Sequence, residues 1–213
     1  MWNKKVGIIV VISGLAAVVL AAVVVQAFVL KPASTLKPAR LPEGEYDPAE
    51  WGRYYPLEYE SYQKNREMAP SPTGYGGGVK AQKSVKEPEI LMNFKGMPFS
   101  SDYAEDRGHP YAIEDLKDSK RVTSTTVGSC MTCKTANIID IYKDKGWDYA
   151  KLPLAELFLA MKHPVSCANC HDAATMQLSI ANPAFIEAMQ HRGIDVRKAS
   201  REEMRSYVCG QCH

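Results

Sequence analysis

All six cysteines of this 213-residue chain lie in three C-x-x-C segments, and no other feature constrains its fold as strongly. With the residue that follows each pair, the segments are Cys130-Met131-Thr132-Cys133-Lys134, Cys167-Ala168-Asn169-Cys170-His171 and Cys209-Gly210-Gln211-Cys212-His213. The C-x-x-C-H pattern is typical of covalent haem c attachment, in which two thiols bond the porphyrin and the next side chain is directed at the iron. The spacing predicts three haem c groups, attached through Cys130 and Cys133, Cys167 and Cys170, and Cys209 and Cys212.

Two other uses of C-x-x-C pairs stay open at this point. Isolated pairs also bind zinc or form redox disulfides. Here three pairs occur together, two of them are followed by histidine, and no cysteine is left over. That combination favours haem, with His171 and His213 as iron ligands.

Lysine stands at position 134, where the other two segments have histidine. Lysine ligates iron only as the free amine, and from a reference pKa of about 10.4 its deprotonation at pH 7 costs roughly 4 to 5 kcal/mol. We expect a protein to tolerate this free-energy cost where the opposite face of the iron is open to a substrate, rather than in a haem that only carries electrons. The alternative is a surface lysine beside a haem whose ligand comes from a distant residue.

The first 30 residues predict export from the cytoplasm. A short basic segment, Met1-Trp2-Asn3-Lys4-Lys5, precedes a largely apolar run from Val6 to Leu30. The run has the roughly 20 residues that span a bilayer, whereas a cleaved signal has a shorter apolar region. Residues 1–30 are therefore either a signal peptide, with Val25-Gln26-Ala27 as a cleavage site, or an anchor in the inner membrane formed by residues 6–30. In both cases the rest of the chain is periplasmic.

Residues 31–89 predict a long irregular arm, because they are rich in proline, glycine and tyrosine. A glycine-rich stretch at 74–78 has neither the spacing nor the preceding strand of a phosphate-binding loop, and it predicts a flexible turn. The aromatic residues of the arm either pack it against the body or contact a partner, and they are Trp51, Tyr54, Tyr55, Tyr59 and Tyr62. The net charge of +2 gives no indication of nucleic-acid binding.

Residues 90–213 predict a mostly α-helical, multihaem-binding region with short helices. The apolar spacing from Ile138 to Tyr142 and the apolar run from Leu154 to Met161 predict two helices. Asn182-Pro183 predicts the start of a helix that ends near Gly193, and Ser200-Arg201-Glu202-Glu203 is a capping box before the third C-x-x-C segment. We expect these helices to be packed around the covalently bound haems and to be poorly folded without them.

The order C-x-x-C-K, C-x-x-C-H, C-x-x-C-H, preceded by Arg107-Gly108-His109, resembles the N-terminal part of the pentahaem cytochrome c nitrite reductases. The resemblance runs from about Tyr55 to the last residue. It implies that Lys134 is the proximal ligand of an active-site haem, and that His171 and His213 are proximal ligands of bis-histidine haems. His109 would be a distal ligand, to the haem of His213, and Arg121 would bind substrate.

These roles imply a dissimilatory enzyme that reduces nitrite to ammonium with six electrons. The resemblance also implies homodimers and an electron donor such as a multihaem quinol dehydrogenase. Complete family members carry five haems and Ca²⁺, and the residues that match their calcium ligands and last two haem sites are absent here. The trihaem region is truncated relative to the family, so we expect a fragment, an incomplete gene model or one piece of a split protein.

Several alternatives remain open on the sequence alone. The whole chain could be a membrane-anchored trihaem cytochrome that transfers electrons and has no substrate site. Without the resemblance, Arg121 reads as a solvated charge beside Lys120, and His109 as a surface or capping residue. His163 and His191 are interpreted as structural or surface residues, although either could supply a sixth iron ligand.

Overall fold

The computed structural model describes residues 4–24, 41–74 and 77–213, and their regular structure is helical. The α-helices within these ranges are α1 Lys4–Val24, α2 Pro48–Gly52, α3 Pro56–Lys64, α4 Lys83–Lys86, α5 Glu89–Asn93, α6 Ala112–Asp118, α7 Ile138–Lys145, α8 Leu154–Leu157, α9 Pro183–His191 and α10 Arg201–Gly210. Short 3₁₀ turns lie at Pro98–Ser100, His109–Tyr111, Gly128–Cys133, Gly146–Ala150, Cys167–Asn169 and Val196–Lys198. The described residues form no β-strand, only isolated bridges such as that between Thr135 and Pro164. The predicted mostly α fold is confirmed.

The chain divides into two units, Met1–Lys37 and Pro38–His213. In the first unit, the described side chains of α1 from Ile12 to Val23 are exposed. None of the helices in the described ranges has both the length and the apolar character of a membrane-crossing segment. The predicted anchor or signal therefore remains a prediction without support from the structure. Residues 25–30, with the suggested cleavage site, lie outside the described residues.

Three helices, α2, α3 and α4, lie in the segment that was expected to be an irregular arm. Pro48 and Pro56 occupy the first turns of α2 and α3, where a fixed φ and a missing N–H favour a helix start rather than prevent one. The Asp47 side chain caps α2 by accepting a hydrogen bond from the Ala49 N–H at 2.8 Å. The prolines of this segment therefore open short helices.

Part of the aromatic cluster attaches this segment to the rest of the second unit. Trp51 is 1% exposed and donates its indole N–H to the Glu45 carbonyl oxygen at 2.9 Å. The Tyr62 hydroxyl donates to the Val165 carbonyl oxygen at 3.0 Å, beside the second C-x-x-C segment. Tyr54, by contrast, is exposed. Packing is thus the role of Trp51 and Tyr62.

An aliphatic core surrounds the first C-x-x-C segment. Its buried members are Met131, Ile138, Ile141, Tyr149, Leu154, Leu157 and Met161. They come from the turns at Gly128–Cys133 and Gly146–Ala150, from α7, and from α8 with the residues that follow it. These short helices therefore share a core of their own, and the first segment is part of it.

The two helix starts predicted between the second and third C-x-x-C segments, at Asn182 and at Ser200, are confirmed. The Asn182 side chain accepts hydrogen bonds from the Ala184 and Phe185 N–H groups at the start of α9. Ser200 and Glu203 form the reciprocal capping box of α10, with bonds of 2.8 and 3.2 Å. Because α10 ends at Gly210, Cys209 lies in its last turn and Cys212 lies just beyond its end.

Candidate functional site

The first C-x-x-C segment is fixed to the core through its two central residues. Met131 is completely buried and Thr132 is 9% exposed. The Thr132 hydroxyl donates to the Ser129 carbonyl oxygen at 2.8 Å and lies 2.7 Å from the Tyr149 hydroxyl oxygen. Since the central residues point into the protein, Cys130 is exposed and Cys133 and Lys134 are half-buried.

The second C-x-x-C segment is held by its own central asparagine. Asn169 is buried, and its Oδ1 accepts the Ser166 N–H at 2.9 Å. Its Nδ2 donates to the Thr135 carbonyl oxygen at 3.0 Å, one residue after Lys134. The cysteines of this segment are half-buried, and desolvation raises the pKa of the Cys170 thiol to about 11.

His171 is oriented by the loop that follows it. Its Nδ1 lies 3.0 Å from the Met176 carbonyl oxygen, which can only accept, so Nδ1 carries a proton and, in the neutral ring, the lone pair is on Nε2. Met176 has a φ of +61°, a left-handed conformation that is uncommon for a residue with a side chain. The loop is closed by Asp172, whose Oδ1 accepts the Thr175 N–H and hydroxyl at 2.8 and 2.7 Å. An imidazole held in this way presents Nε2 to a metal.

A groove of about 740 Å³ lies beside His171, and this region is called the His171 groove. Trp51 and Tyr46 line one part of it, Asp140 of α7 a second, and Ala168 with His171 of the second C-x-x-C segment a third.

A second groove, of about 330 Å³, lies among all three C-x-x-C segments and is called the Lys134 groove. Lys134, His109 and His213 line it together, although they lie far apart along the chain. Four motif cysteines also line it, namely Cys133, Cys170, Cys209 and Cys212. Desolvation, with the charges of His213 and Lys134, lowers the pKa of His109, which favours its neutral, ligating form.

Two cysteines from different segments meet in the Lys134 groove. A hydrogen bond with Cys212 lowers the pKa of Cys133 to about 7, and the same bond raises the pKa of Cys212 above its usual range. Asn182 Nδ2 lies 3.6 Å from the Cys133 sulfur. None of the six cysteines, all of which lie in the described ranges, is joined to another in a disulfide.

Arg107 holds the turn that carries His109. Its guanidinium is 5% exposed, pairs with Asp115 at 2.7 Å between Nε and Oδ1, and lies 4.1 Å from the ring centroid of Tyr111. Gly108 between them has a φ of +98°, which glycine adopts without steric cost. Arg107 thus fixes the backbone from which the His109 side chain reaches the groove.

Arg121 is exposed and, as far as the described residues define the two grooves, it lines neither. The segment around it is held by buried Asp102, which accepts hydrogen bonds from Lys120 N–H at 2.8 Å and from the Ser119 hydroxyl at 3.1 Å. Desolvation raises the pKa of Asp102, but the hydrogen bonds from Gln82, Lys120 and Ser119 outweigh it and leave the pKa below its usual value. The position of Arg121 is therefore defined, but apart from Lys134.

The remaining histidines lie away from both grooves. His163 is half-buried and its carbonyl oxygen accepts from Ala136 N–H at 2.9 Å. His191 is exposed at the end of α9, 3.6 Å from Glu187. Across the described residues, no cluster of three or more histidine, cysteine, aspartate or glutamate side chains is arranged to hold a metal ion.

The sequence did not reveal the structural role of one set of residues within the C-x-x-C segments. The second central residue of each C-x-x-C segment is buried and hydrogen-bonded, and these residues are Thr132, Asn169 and Gln211. A signal was present, because all three are polar residues at the same position of the motif. Their partners, however, are distant in sequence and could not be read from it.

The residues present fit haem c in both grooves. The volumes fall within the range of roughly 300 to 1,000 Å³ that is usual for cofactor sites. His171 has an oriented ring with Nε2 available, and the Lys134 groove combines thiols with two imidazoles and an amine, all of which are iron-ligand or haem-attachment chemistry. Short helices around repeated C-x-x-C segments have the architecture of a multihaem c-type cytochrome.

The comparisons with known proteins place the chain within this class. The model of the cytochrome c552 family matches residues 47–213, and the chain belongs to that family. It is 35% identical over 167 residues to cytochrome c-552 of Parabacteroides distasonis, an alignment that covers 75% of this chain and 34% of the relative. It is 32% identical to the cytochrome c nitrite reductase subunit NrfA of Nitratidesulfovibrio vulgaris, over 75% of this chain and 34% of that protein.

A solved structure supports the same relationship. The cytochrome c nitrite reductase of Desulfovibrio desulfuricans superposes with a TM-score of 0.71 at 28% identity, over 82% of this chain and 41% of that one. The description of that structure concerns two calcium sites in its catalytic subunit, NrfA. This chain spans about a third of the length of the curated relatives that it matches.

Proposed function

We propose that this chain is the part of an ammonia-forming cytochrome c nitrite reductase that carries a lysine-ligated haem. The observation that carries the proposal is Lys134, which follows a C-x-x-C pair and lines a groove with His109 and His213. In the overall reaction, nitrite takes up six electrons and eight protons and gives ammonium and two waters.

The three C-x-x-C segments would hold three haem c groups through their six cysteines. Lys134, His171 and His213 would be the proximal ligands, and His109 the distal ligand opposite His213. Bound haem supplies an iron that exchanges electrons and, at an open face, binds a small anion. The family resemblance implies five haems and Ca²⁺ in a complete enzyme.

The chain's own groups have distinct tasks in this proposal. Lys134 Nζ must give up a proton to become a ligand, and the surroundings of the groove must favour the neutral amine. The Met176 carbonyl oxygen lies 3.0 Å from Nδ1 of the His171 ring and holds a proton there, so that Nε2 would be available to bind the haem iron. The family resemblance implies that Arg121 binds nitrite by its guanidinium and stabilises charge on the departing oxygens, a role for which it would have to reach the Lys134 groove from outside.

The cellular setting is part of the proposal. The protein is periplasmic and takes electrons from a multihaem quinol dehydrogenase or a similar donor, and complete members form homodimers. Export follows from the basic and apolar sequence at the N-terminus, and an anchor over residues 6–30 would raise the local concentration of the protein beside a membrane donor.

The Lys134→His variant of the complete holoprotein tests the catalytic role. We expect all haems to stay attached and nitrite turnover to fall roughly 10- to 100-fold, the range that changes around a metal produce. Lys162→His, at an exposed lysine, is the matched control and should retain turnover. Unchanged turnover in Lys134→His would remove lysine ligation from the mechanism.

A second function is favoured by one observation, the position of Arg121 outside the Lys134 groove. A membrane-anchored trihaem cytochrome that only transfers electrons needs no substrate-binding arginine. The spin state of the oxidised protein separates the two functions, because an open iron face gives a high-spin signal that changes on addition of nitrite. Low-spin signals alone, indifferent to nitrite, would favour the electron carrier.

A further inference from the structure

Gln211 is a buried polar side chain at the meeting point of the three C-x-x-C segments. It is 5% exposed, although it belongs to the third segment and is flanked by exposed Gly210 and Cys212. A buried amide is stable only where its donors and acceptors are paired, so its partners define what it holds together.

The amide nitrogen of Gln211 joins the third segment to the second. Nε2 donates to the carbonyl oxygen of Asn169 at 2.8 Å and to that of Val208 at 3.1 Å. The same nitrogen lies 4.0 Å from the Cys170 sulfur. The first of these bonds connects two haem-attachment segments that are separated by 42 residues.

The oxygen atoms of Gln211 join the third segment to the start of α9. Oε1 accepts the N–H groups of Ala181 and Asn182 at 3.1 and 3.0 Å. The Gln211 carbonyl oxygen accepts from Asn182 Nδ2 at 2.6 Å and lies 3.9 Å from the Cys133 sulfur of the first segment. Gln211 therefore approaches one cysteine from each of the other two segments.

Asn169 completes the connection to the first segment. Its Nδ2 donates to the Thr135 carbonyl oxygen at 3.0 Å, directly after Lys134. Two consecutive hydrogen bonds, from Gln211 to Asn169 and from Asn169 to Thr135, thus cross all three segments. Buried, fully paired networks of this kind rigidify the elements that they join.

We propose that Gln211, together with Asn169, is a positioning residue that fixes the spacing and relative orientation of the three haem-attachment segments. The proposal rests on the haem-binding part of the proposed function. Its consequence is that the haems attached to the three segments keep a constant mutual geometry, on which their electronic coupling depends. It requires no further reactant and assigns Gln211 no contact with substrate.

The Gln211→Met variant of the complete holoprotein is the first test. It keeps the side-chain volume and removes every side-chain hydrogen bond. We expect haem content to be unchanged by mass spectrometry, the bisignate Soret circular dichroism of coupled haems to be lost, and the potentiometric titration curve to change shape. Gln190→Met, at an exposed glutamine of α9, should match the parent protein in all three.

The second variant, Asn169→Asp, retains the acceptor for Ser166 N–H and loses the donor to Thr135. The same change in Soret signal and titration supports the proposal, even where Gln211→Met fails to mature. An unaltered Soret signal with all haems attached overturns the proposed positioning role. Loss of haem from both variants also overturns it, because Gln211 and Asn169 would then be needed for folding alone. A parent protein without covalent haem would instead overturn the proposed function, and its mass is read before any variant is compared.

Discussion

The His171 groove and the Lys134 groove position their proposed iron ligands in different ways. The His171 ring is oriented by the loop immediately after it, through the Met176 carbonyl oxygen and the closing hydrogen bonds of Asp172. The Lys134 groove gathers Lys134, His109 and His213 from segments that are distant in sequence. A local loop orients one ligand by itself, whereas the other site depends on the packing of the whole second unit.

This difference predicts different sensitivities. Substitutions far from Lys134 in sequence should disturb its groove, because tertiary contacts bring Lys134, His109 and His213 together. The orientation of His171 should respond mainly to changes within its own loop. Substitutions at four positions test these expectations, and they are given in order of expected effect.

Gly128→Ala should have the largest effect on stability, and it should act on the turn that leads to Lys134. An added Cβ would overlap the Tyr149 carbonyl oxygen and Leu157 Cδ1, so the turn that carries the first segment must move. We expect a loss of about 3 kcal/mol in stability, the upper part of the usual range for overpacking, seen as a lower thermal midpoint. Gly14→Ala in α1, where nothing lies within 4 Å of the added Cβ, is the control and should not lower the midpoint.

Arg107→Met should have the next largest effect on stability. It removes the buried guanidinium and leaves Asp115 without its partner, at a cost of about 2 to 3 kcal/mol once the partial exposure of Asp115 is allowed for. Denaturant unfolding measures the loss, and release of His109 should appear as a new high-spin haem signal. Arg53→Met breaks the exposed pair with Glu50 and should change stability by less than about 1 kcal/mol. Equal effects of the two variants would contradict a tertiary placement of His109.

Two substitutions at Met176 test the local loop of the His171 groove. Met176→Gly keeps the carbonyl oxygen and relieves the left-handed conformation, so we expect a gain of up to about 1 kcal/mol. Met176→Pro cannot adopt a positive φ and also removes the N–H that bonds to the Asp172 carbonyl oxygen at 2.8 Å. The proline variant alone should shift the magnetic resonance signals of the His171 haem. Similar spectra for the two variants would show that the loop does not orient the ring.

Asp102→Asn should have the smallest effect, present near neutral pH and lost at acid pH. Because the pKa of Asp102 is lowered by folding, its contribution is complete above the unfolded value near 3.8 and is lost as the pH falls through the folded value. Replacement by asparagine should cost about 1 kcal/mol at pH 6 and make the stability less dependent on pH below about 4. Urea unfolding at several pH values measures this, and an unchanged acid profile would exclude Asp102 as a contributor.

Much of the helical framework could be predicted from the sequence. Asn182-Pro183 and the Ser200–Glu203 capping box start α9 and α10 where expected, because caps are satisfied by neighbours within one turn. The helices at Pro48 and Pro56 were not expected, since proline signals both turns and helix starts and only the following contacts decide between them. The burial of Trp51 was not predicted either, because an aromatic residue in this segment could either pack against the body or contact a partner.

The sequence by itself determined the chemistry of this protein: six cysteines in three C-x-x-C pairs, two followed by histidine and one by lysine, because haem attachment depends on spacing within one turn of chain. The tertiary structure decided which of these segments meet. It brings His109 and His213 to Lys134, leaves Arg121 outside that groove, and buries Gln211 between the segments. These placements arise from packing and hydrogen bonds between residues far apart in the chain, and no local pattern specifies them.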